Sequence, residues 1–464
     1  MIEENEIQKK TAARDLGSGS VGRLLLSLAI PTVTAQLVNM LYNIVDRMYI
    51  GHIPEYGVQA LTGLGLCFPI LMLVTAFSAL VGMGGAPQAA IAMGQKKNEK
   101  AEQILGNCFS ALLVISATLT VFFLLFGPKL LVLFGASKET LPYAWSYMQI
   151  YVCGTVFVQL AIGMNAFITT QGFTKISMMT VLIGAVTNII LDPILIFGLH
   201  MGVRGAAVAT VLSQSISSLW VLRFLTGKKT ILRIRRRNMK IQGSVLIPVI
   251  GLGISPFVMQ STESLLNICF NSSLARYGGD IAVGSMTILS SVMQIMTLTL
   301  SGISQAAQPI ISFNYGAKKD ERVKEAVKLL CICLVTVSTV FFLAVELFPG
   351  VFVAIFNNSS AELAETTSWA MRIYFGAIFM MGFQNTFQQS FVALGQARIS
   401  LFLACLRKLI LLIPLIYIFP MFLENKLFAV FLAEPVSDFI AAATTTTLFL
   451  HQFPKILERN NTGK

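Results

Sequence analysis

The sequence predicts an all-α, polytopic membrane protein in which twelve transmembrane helices form two parallel six-helix repeats around a central cleft. Of its 464 residues, 55% are hydrophobic and only 12% are charged, whereas about a quarter of the residues in soluble domains are charged. Apolar stretches long enough to cross a bilayer recur along the chain. The first half of the chain also resembles the second half, so a duplicated membrane protein is predicted.

Twelve apolar stretches have the length of a membrane span. A bilayer core of about 30 Å needs roughly 20 residues of helix. The segment before the first stretch, "MIEENEIQKKTAARDLGSGS", is polar and lacks the apolar region of a signal peptide, so it is predicted to be a cytoplasmic tail. The twelve predicted spans lie near residues 24–50, 59–84, 101–126, 140–164, 176–198, 204–225, 246–274, 281–308, 327–348, 362–391, 400–423 and 426–450.

Lysine and arginine predict the orientation of the spans. If the N-terminus is inside, the inner segments contain "GQKKNEK", "GKKTILRIRRRNMK" and "GAKKDERVKEAVK", and the outer segments keep only scattered cations such as Lys129 and Arg204. The positive-inside rule therefore places both termini in the cytoplasm. The net charge of +12 is mostly a topology signal, and the basic loop lacks the interleaved aromatic residues that would indicate nucleic-acid binding.

An internal duplication relates the two halves. The segment "PQAAIAMGQKKNEK" from Pro87 aligns with "PIISFNYGAKKDER" from Pro309, and Gly94 aligns with Gly316 at the same separation of 222 residues. Each half holds six spans, an even number, so both halves enter the membrane in the same orientation and form parallel repeats. The predicted organisation is a tail at 1–20, an N-lobe at 21–225, a basic linker at 226–245, a C-lobe at 246–450 and a cytoplasmic tail at 451–464.

Four polar residues are predicted to meet inside the N-lobe. Asp46, Asp192 and Thr210 lie five to eight residues from the outer ends of spans 1, 5 and 6, which places all three about 8–12 Å below the outer surface. Asn188 precedes Asp192 by one helical turn and shares its face. Two carboxylates, an amide and a hydroxyl suit a sodium ion or a shared proton, and intramembrane acids are functional by default.

Structural alternatives exist for the same residues. Asp46 could form an interfacial ion pair with Arg47, and Asp192 could accept hydrogen bonds from a neighbouring helix. Pro193 removes the helical partner of the Ile189 carbonyl, which could face the site, or it could only kink the span.

The second half offers a weaker set of candidates for substrate binding. Glu263 is predicted at mid-depth in span 7, where it could contact a cationic substrate or organise the bundle through hydrogen bonds. Methionine side chains adapt to varied ligands, although such stripes more often pack in a core. Glu434 and Asp438 in the last span are weaker candidates, because Glu434 could lie near the interface. The remaining candidates are Gln260, Asn267, Gln384, Asn385, Met293 and Met296.

The ordered set of motifs resembles the multidrug and toxic compound extrusion (MATE) family, and its MepA-like branch in particular. The resemblance rests on the parallel repeat, on "LAIPTVTAQLVNMLYNIVDRMYIGH" in span 1, on the Pro–Gly–Lys–Lys loops and on "NIILDPILIFG" in span 5. It implies export of organic cations and drugs in exchange for sodium ions or protons, with an N-lobe cation site at Asp46, Asn188, Asp192 and Thr210. The family's acid in span 10 is replaced here by amides, which puts a second cation site in doubt.

The resemblance also sets expectations for partners and location. We expect a multi-pass, monomeric protein of a bacterial-type cytoplasmic membrane, with no cofactor and no enzymatic activity. A lipid-linked oligosaccharide flippase of the same wider superfamily is the alternative, but it would need a cationic cavity for a pyrophosphate, whereas the predicted cleft is acidic. A membrane-embedded enzyme would need a metal site or a nucleophile that the sequence does not show.

The topology can be tested with reporter fusions. A reporter fused after Gly227 should be cytoplasmic and one inserted after Gly135 should be outside, because the basic loops stay on the inner side. The inverse pattern would contradict both the orientation and the parallel-repeat interpretation.

Overall fold

Residues 16–356 and 361–462 are described by a computed structural model of the protein. Over these ranges the chain is almost entirely helical and contains no β-strand. The helices form twelve membrane-crossing units, named α1 to α12 below, in an N-lobe (α1–α6) and a C-lobe (α7–α12). This arrangement confirms the predicted fold class.

The N-lobe contains two interrupted helices. α4 bends by 57° at Gly154, and α5 continues into a π-helical turn, Ile194–Gly198, directly after Pro193. The N-lobe helices are α1 (Val21–Gly51), α2 (Gly57–Gly94), α3 (Asn98–Leu133), α4 (Leu141–Cys153 and Thr155–Thr170), α5 (Thr174–Pro193 with its π turn) and α6 (Val203–Thr226).

The C-lobe contains three breaks. The helical stretch Gly243–Gly316 is broken at Gly279, whose φ of 62° is left-handed, and this separates α7 (243–278) from α8 (280–316). The other C-lobe helices are α9 (Asp320–Leu347), α10 (Ala361–Tyr374 and Met381–Ala393, joined by a 3-10 turn at Ile378–Met380), α11 (Ala397–Cys405 and Ile413–Phe422, joined by a π-helical segment at Leu406–Leu412) and α12 (Lys426–Thr462). A short helix, Pro349–Phe356, precedes α10.

Several helices extend beyond the predicted spans. α2 continues to Gly94 instead of 84, α8 to Gly316 instead of 308 and α12 to Thr462 instead of 450. Hydropathy marks only the part of a helix that lies in hydrocarbon, whereas the backbone hydrogen bonds of a helix continue into its polar ends. Most of the predicted C-terminal tail is therefore helical, and most of the predicted N-terminal tail lies outside the described residues.

The ends of α2 and α8 show the duplication in their backbone geometry. Lys96 and Lys318, 222 residues apart, have positive φ values of 61° and 56°. In each case the next amide reaches back five residues, from Lys97 N to Ala92 O and from Lys319 N to Asn314 O, both at 2.9 Å. This is the hydrogen bond that closes a Schellman C-cap. The aligned loops thus have the same conformation as well as similar sequences.

The two lobes touch through glycines at these same helix ends. A Cβ atom on Gly94 would collide with the backbone of α8 around Phe313, and one on Gly316 would collide with the Ile91 carbonyl of α2. Higher in the bundle, the Thr32 hydroxyl donates to the Gly302 carbonyl at 2.7 Å, which ties α1 to α8. The lobes therefore approach backbone to backbone at the predicted cytoplasmic end.

The segments that lead into α1 and α7 are bound to the opposite lobe. Arg322 of the C-lobe donates to the carbonyls of Ser18 and Gly19, just before α1. In the N-lobe, Asn107 donates to the Asn238 carbonyl and accepts from the Gln242 amide, at 3.2 and 2.7 Å. The predicted 226–245 linker is thus docked on the end of α3.

The close glycine contact predicts a cost for any added side chain. Gly316→Ala and Gly94→Ala should each destabilise the protein by about 1–3 kcal/mol, because the new methyl group overpacks two helix backbones. Thermal unfolding in detergent should show a lowered midpoint for both variants.

Gly350→Ala is the matched control, since a Cβ there meets nothing within 4 Å. An unchanged midpoint for Gly316→Ala would mean that the lobes do not meet at this glycine.

Candidate functional site

Two aspartates face each other inside the N-lobe. Asp46 on α1 is 8% exposed and Asp192 on α5 is fully buried, and their carboxyl groups lie within hydrogen-bonding distance of each other. Asn188, one turn before Asp192, donates to Asp192 Oδ1 at 3.3 Å. The structure therefore brings together three of the four residues predicted for this site.

Tyrosines surround this pair of acids. The Tyr147 side chain lies beside Thr210, the fourth predicted residue, and close to Asp46. The Thr210 hydroxyl donates to the Ala206 carbonyl of its own helix at 3.0 Å. Tyr42 on α1 lies close to both acids.

Three oxygen atoms in the site have no hydrogen-bond donor. No donor within residues 16–356 and 361–462 reaches Asp46 Oδ1, Asn188 Oδ1 or Asp192 Oδ2, and all three atoms are buried. Buried polar atoms are normally hydrogen-bonded, and two ionised carboxylates in contact repel each other. A proton shared by the acids or a hard cation such as sodium would satisfy these oxygens.

The alternative ion pair between Asp46 and Arg47 does not form in this structure. The Arg47 guanidinium lies over the ring of Phe68, 5.4 Å from its centroid, while Asp46 points into the lobe. The other alternative, in which Asp192 only accepts hydrogen bonds from a neighbouring helix, does not account for its unpartnered Oδ2. Directly after Asp192, Pro193 and the π-helical turn interrupt α5, and such turns are frequent at functional sites.

A second group of charges lies in the C-lobe. Lys408 on α11, with a side chain 5% exposed, forms an ion pair with Glu263 on α7, whose side chain is 54% exposed. The Lys408 ammonium also donates to the Met259 carbonyl at 2.8 Å, one turn before Glu263. Glu263 therefore has a cationic partner where the sequence predicted none.

The preceding residue, Arg407, makes a separate set of contacts. Its Nε donates to Asp438 at 2.6 Å and its terminal nitrogen to Glu434 at 3.0 Å, and both acids belong to α12. The side chains of Glu434 and Asp438 are only 5% and 3% exposed. Glu434 is therefore buried within the protein, where Arg407 supplies its counter-charge.

The amides of α10 form a local chain of hydrogen bonds. Gln384 donates to Gln388 at 3.0 Å and accepts from Thr445 of α12 at 2.6 Å. Asn385 donates to the Met381 carbonyl of its own helix, and on α7 Asn267 donates to the Glu263 carbonyl. The structure therefore uses most of these predicted substrate contacts in bonds within the lobe.

Three further predicted contacts differ in exposure. Gln260 and Met293 are partly exposed, whereas Met296 is 1% exposed and packs in the C-lobe core. Direct contact of Met296 with a ligand is therefore not available in this structure.

Sequence reasoning missed the two cations of α11 and the tyrosines of the N-lobe. A signal for the cations existed, because "LRKL" interrupts an otherwise apolar span and intramembrane charges mark functional sites. The tyrosines gave no such signal, since aromatic residues are common in apolar spans. Among the described residues there is no cluster of three or more histidine, cysteine, aspartate or glutamate side chains that could hold a metal ion.

Comparison with known families agrees with this architecture. The MatE family model matches the chain twice, over residues 31–194 and 256–418. The chain belongs to the MatE family. The two matches begin 225 residues apart, at 31 and 256, so the family model itself recognises the duplication.

Similarity to curated relatives covers nearly the whole chain. The chain is 26% identical over 423 residues to the multidrug export protein MepA of Staphylococcus haemolyticus, covering 91% of this chain and 92% of that protein. It is 25% identical to MepA of Staphylococcus aureus strain N315, with coverages of 86% and 87%.

Among solved structures, an outward-facing multidrug resistance MATE transporter of the MOP superfamily superposes with a TM-score of 0.88 at 23% identity, covering 96% of this chain and 98% of that one. A MATE structure in a bent conformation gives a TM-score of 0.90 at 22% identity, with coverages of 97% and 99%. These structures show a shared fold.

The ion triad of α11 and α12 predicts a strong effect of removing its cation. Arg407→Met should destabilise the protein by about 3–5 kcal/mol, because Glu434 and Asp438 would remain buried without a counter-charge. Thermal unfolding and the yield of monodisperse protein measure this effect.

The triple variant Arg407→Met, Glu434→Gln, Asp438→Asn is the control. It should recover most of the lost stability, since no unpaired charge remains. Equal stability of Arg407→Met and the wild type would mean that the acids are solvated.

Proposed function

We propose that this protein is a secondary active multidrug exporter that extrudes lipophilic, cationic compounds in exchange for sodium ions or protons by alternating access. Membership of the MatE family and similarity to MepA multidrug export proteins support transport of drugs. The observation that carries the coupling mechanism is the contact between the buried carboxyl groups of Asp46 and Asp192, with three unpartnered oxygens around it.

The facing acids give a physical basis for antiport. Two adjacent carboxylates in a low-dielectric interior attract a cation strongly, and neutralisation by a proton or a sodium ion relieves their repulsion. A cationic substrate that depends on the same negative charge binds less well once this ion has entered. Coupling follows because the affinity of each ligand is lowered by the other to the same extent.

The contact between the lobes and the exposed polar side chains near it support alternating access. At the predicted cytoplasmic end the lobes meet at Gly94 and Gly316. Further out, polar side chains remain exposed on otherwise apolar helices, namely Asn43 on α1, Glu263 on α7 and Gln294 on α8. Polar groups at membrane depth face a water-filled cavity rather than lipid. We infer a cleft that is closed on the cytoplasmic side and open on the outer side.

The flippase alternative receives less support. A pyrophosphate-linked lipid would need unpaired cations in the cleft, whereas the intramembrane cations Arg407 and Lys408 are both paired with acids. We propose a bacterial-type cytoplasmic membrane as the location, with both termini inside and a monomer as the working unit. No bound cofactor is needed in this mechanism, because the ion gradient supplies the free energy.

The function is tested by dye efflux from vesicles that contain the purified protein. Sodium and proton gradients are imposed separately, and the gradient that drives efflux identifies the coupling ion. Efflux that needs neither gradient would contradict secondary transport.

The coupling role of the acids predicts a specific mutant phenotype. Asp192→Asn and Asp46→Asn should each abolish gradient-driven efflux at normal membrane abundance, because each retains the side-chain volume and removes a charge that the ion must neutralise. The double variant should be little worse than either single one, since the two acids act as a unit.

Asp280→Asn, which alters an exposed acid just after the break at Gly279, should transport normally. Normal efflux by Asp192→Asn would show instead that Asp192 is a structural tether between helices.

A further inference from the structure

Lys408 is much more deeply buried than its partner Glu263. Its ammonium group is held by two groups of α7, the Met259 carbonyl and the Glu263 carboxylate. The lysine side chain is 5% exposed, but that of the glutamate is 54% exposed. The carboxylate is thus accessible, and we place it at the inferred cleft, while its counter-charge is covered by protein.

Lys408 forms its ion pair with Glu263, although Glu434 and Asp438 are close enough to attract it as well. Glu434 and Asp438 are bound by Arg407, the residue before Lys408. These two adjacent cations therefore bind to different helices, Arg407 to α12 and Lys408 to α7, from one π-helical segment of α11. The C-lobe group contains three carboxylates and two cations, and among the described residues only Lys408 is within ion-pair distance of Glu263.

We propose that Lys408 is a specificity-determining residue, a built-in counter-cation that lowers the affinity of the C-lobe face of the cleft for permanently charged organic cations. The inference rests on the proposed function and adds a rule for substrate selection. An incoming monocation meets a carboxylate whose charge is already balanced, so the attraction that remains is that of an ion-pair dipole.

Glu263 keeps its hydrogen-bonding capacity in this arrangement. Lys408 and Glu263 are joined through Oε1, and the exposed part of the carboxylate can accept from ligand N–H or O–H groups. The C-lobe face would then take hydrogen-bond donors of low net charge, whereas the positive charge of a substrate is bound by the acids of the N-lobe.

Lys408→Met tests this proposal directly. Methionine has a similar length, and the exposed Glu263 carboxylate stays hydrated after the lysine is removed, so no buried charge is left unpaired. Binding of ethidium, a permanent monocation, to the purified protein is measured by fluorescence polarisation. We expect Lys408→Met to bind ethidium at least tenfold more tightly than the wild type.

Two companion variants identify the cause of such a gain. The double variant Glu263→Gln, Lys408→Met should bind ethidium no more tightly than the wild type, because it has neither the carboxylate nor the lysine that balances it. Lys426→Met, which removes a cation of α12 that is bonded to the Pro420 carbonyl, should leave ethidium binding unchanged. A double variant that binds ethidium as tightly as Lys408→Met alone would overturn the proposal, because the gain would then not depend on the Glu263 carboxylate.

The outcomes separate this inference from the proposed function. Ethidium binding by the wild type with no gain in a well-folded Lys408→Met protein overturns the inference and leaves multidrug export standing. If the wild type does not bind ethidium but Lys408→Met does, the counter-cation is supported and export of this cation is contradicted.

Glu263→Gln alone provides a second route if Lys408→Met does not fold. It leaves Lys408 without an acid, so ethidium should bind more weakly and an anionic dye such as fluorescein more tightly. Unchanged affinities for both dyes would overturn the proposal.

Discussion

The free-energy cost of placing a charge inside a membrane determines how both lobes are built. A charged group in hydrocarbon must find an opposite charge, a polar cavity or a proton. The N-lobe meets this requirement with two neighbouring acids, Asp46 and Asp192, which form no ion pair with any residue of 16–356 or 361–462, although Arg47 lies close enough to attract Asp46. The C-lobe meets it with Arg407 and Lys408, which bind three acids from two neighbouring helices.

The two halves share their architecture but differ in how their buried charges are balanced. Both halves end their second helix in the same left-handed turn, at Lys96 and Lys318, and the same family model matches both. The charges, however, are not repeated at equivalent positions. Duplication has thus preserved the backbone, while the ionisable groups have come to differ: one lobe is left with negative charge to be neutralised, and the other balances most of its own.

The sequence was sufficient to predict the spans, the repeat and the level at which the N-lobe acids meet. These features depend on composition, on a fixed separation along the chain and on the helical rise, all of which can be read locally. The bend at Gly154 was not predictable in the same way, because average hydropathy does not detect a backbone break. Nor were the tyrosine contacts, since they depend on how α4 packs against α1 and α6.

The contacts of the two α11 cations were missed for a different reason. Two adjacent cations in an apolar span were visible in the sequence, yet their partners were not. On a regular helix adjacent side chains point about 100° apart, and the π-helical segment Leu406–Leu412 changes this relation. Which acid meets Arg407 and which meets Lys408 is therefore decided by tertiary packing.

The ion pairs of α11 also bear on how the protein enters the membrane during synthesis. Each cation at the centre of a helix costs about 2.5–3.5 kcal/mol on insertion, and the carboxylates that bind Arg407 belong to α12, which leaves the ribosome later. α11 therefore reaches the insertion machinery before the acids that will neutralise its arginine have been made. We expect α11 and α12 to enter the lipid together as a hairpin, because the acids of α12 then neutralise Arg407 as it leaves water.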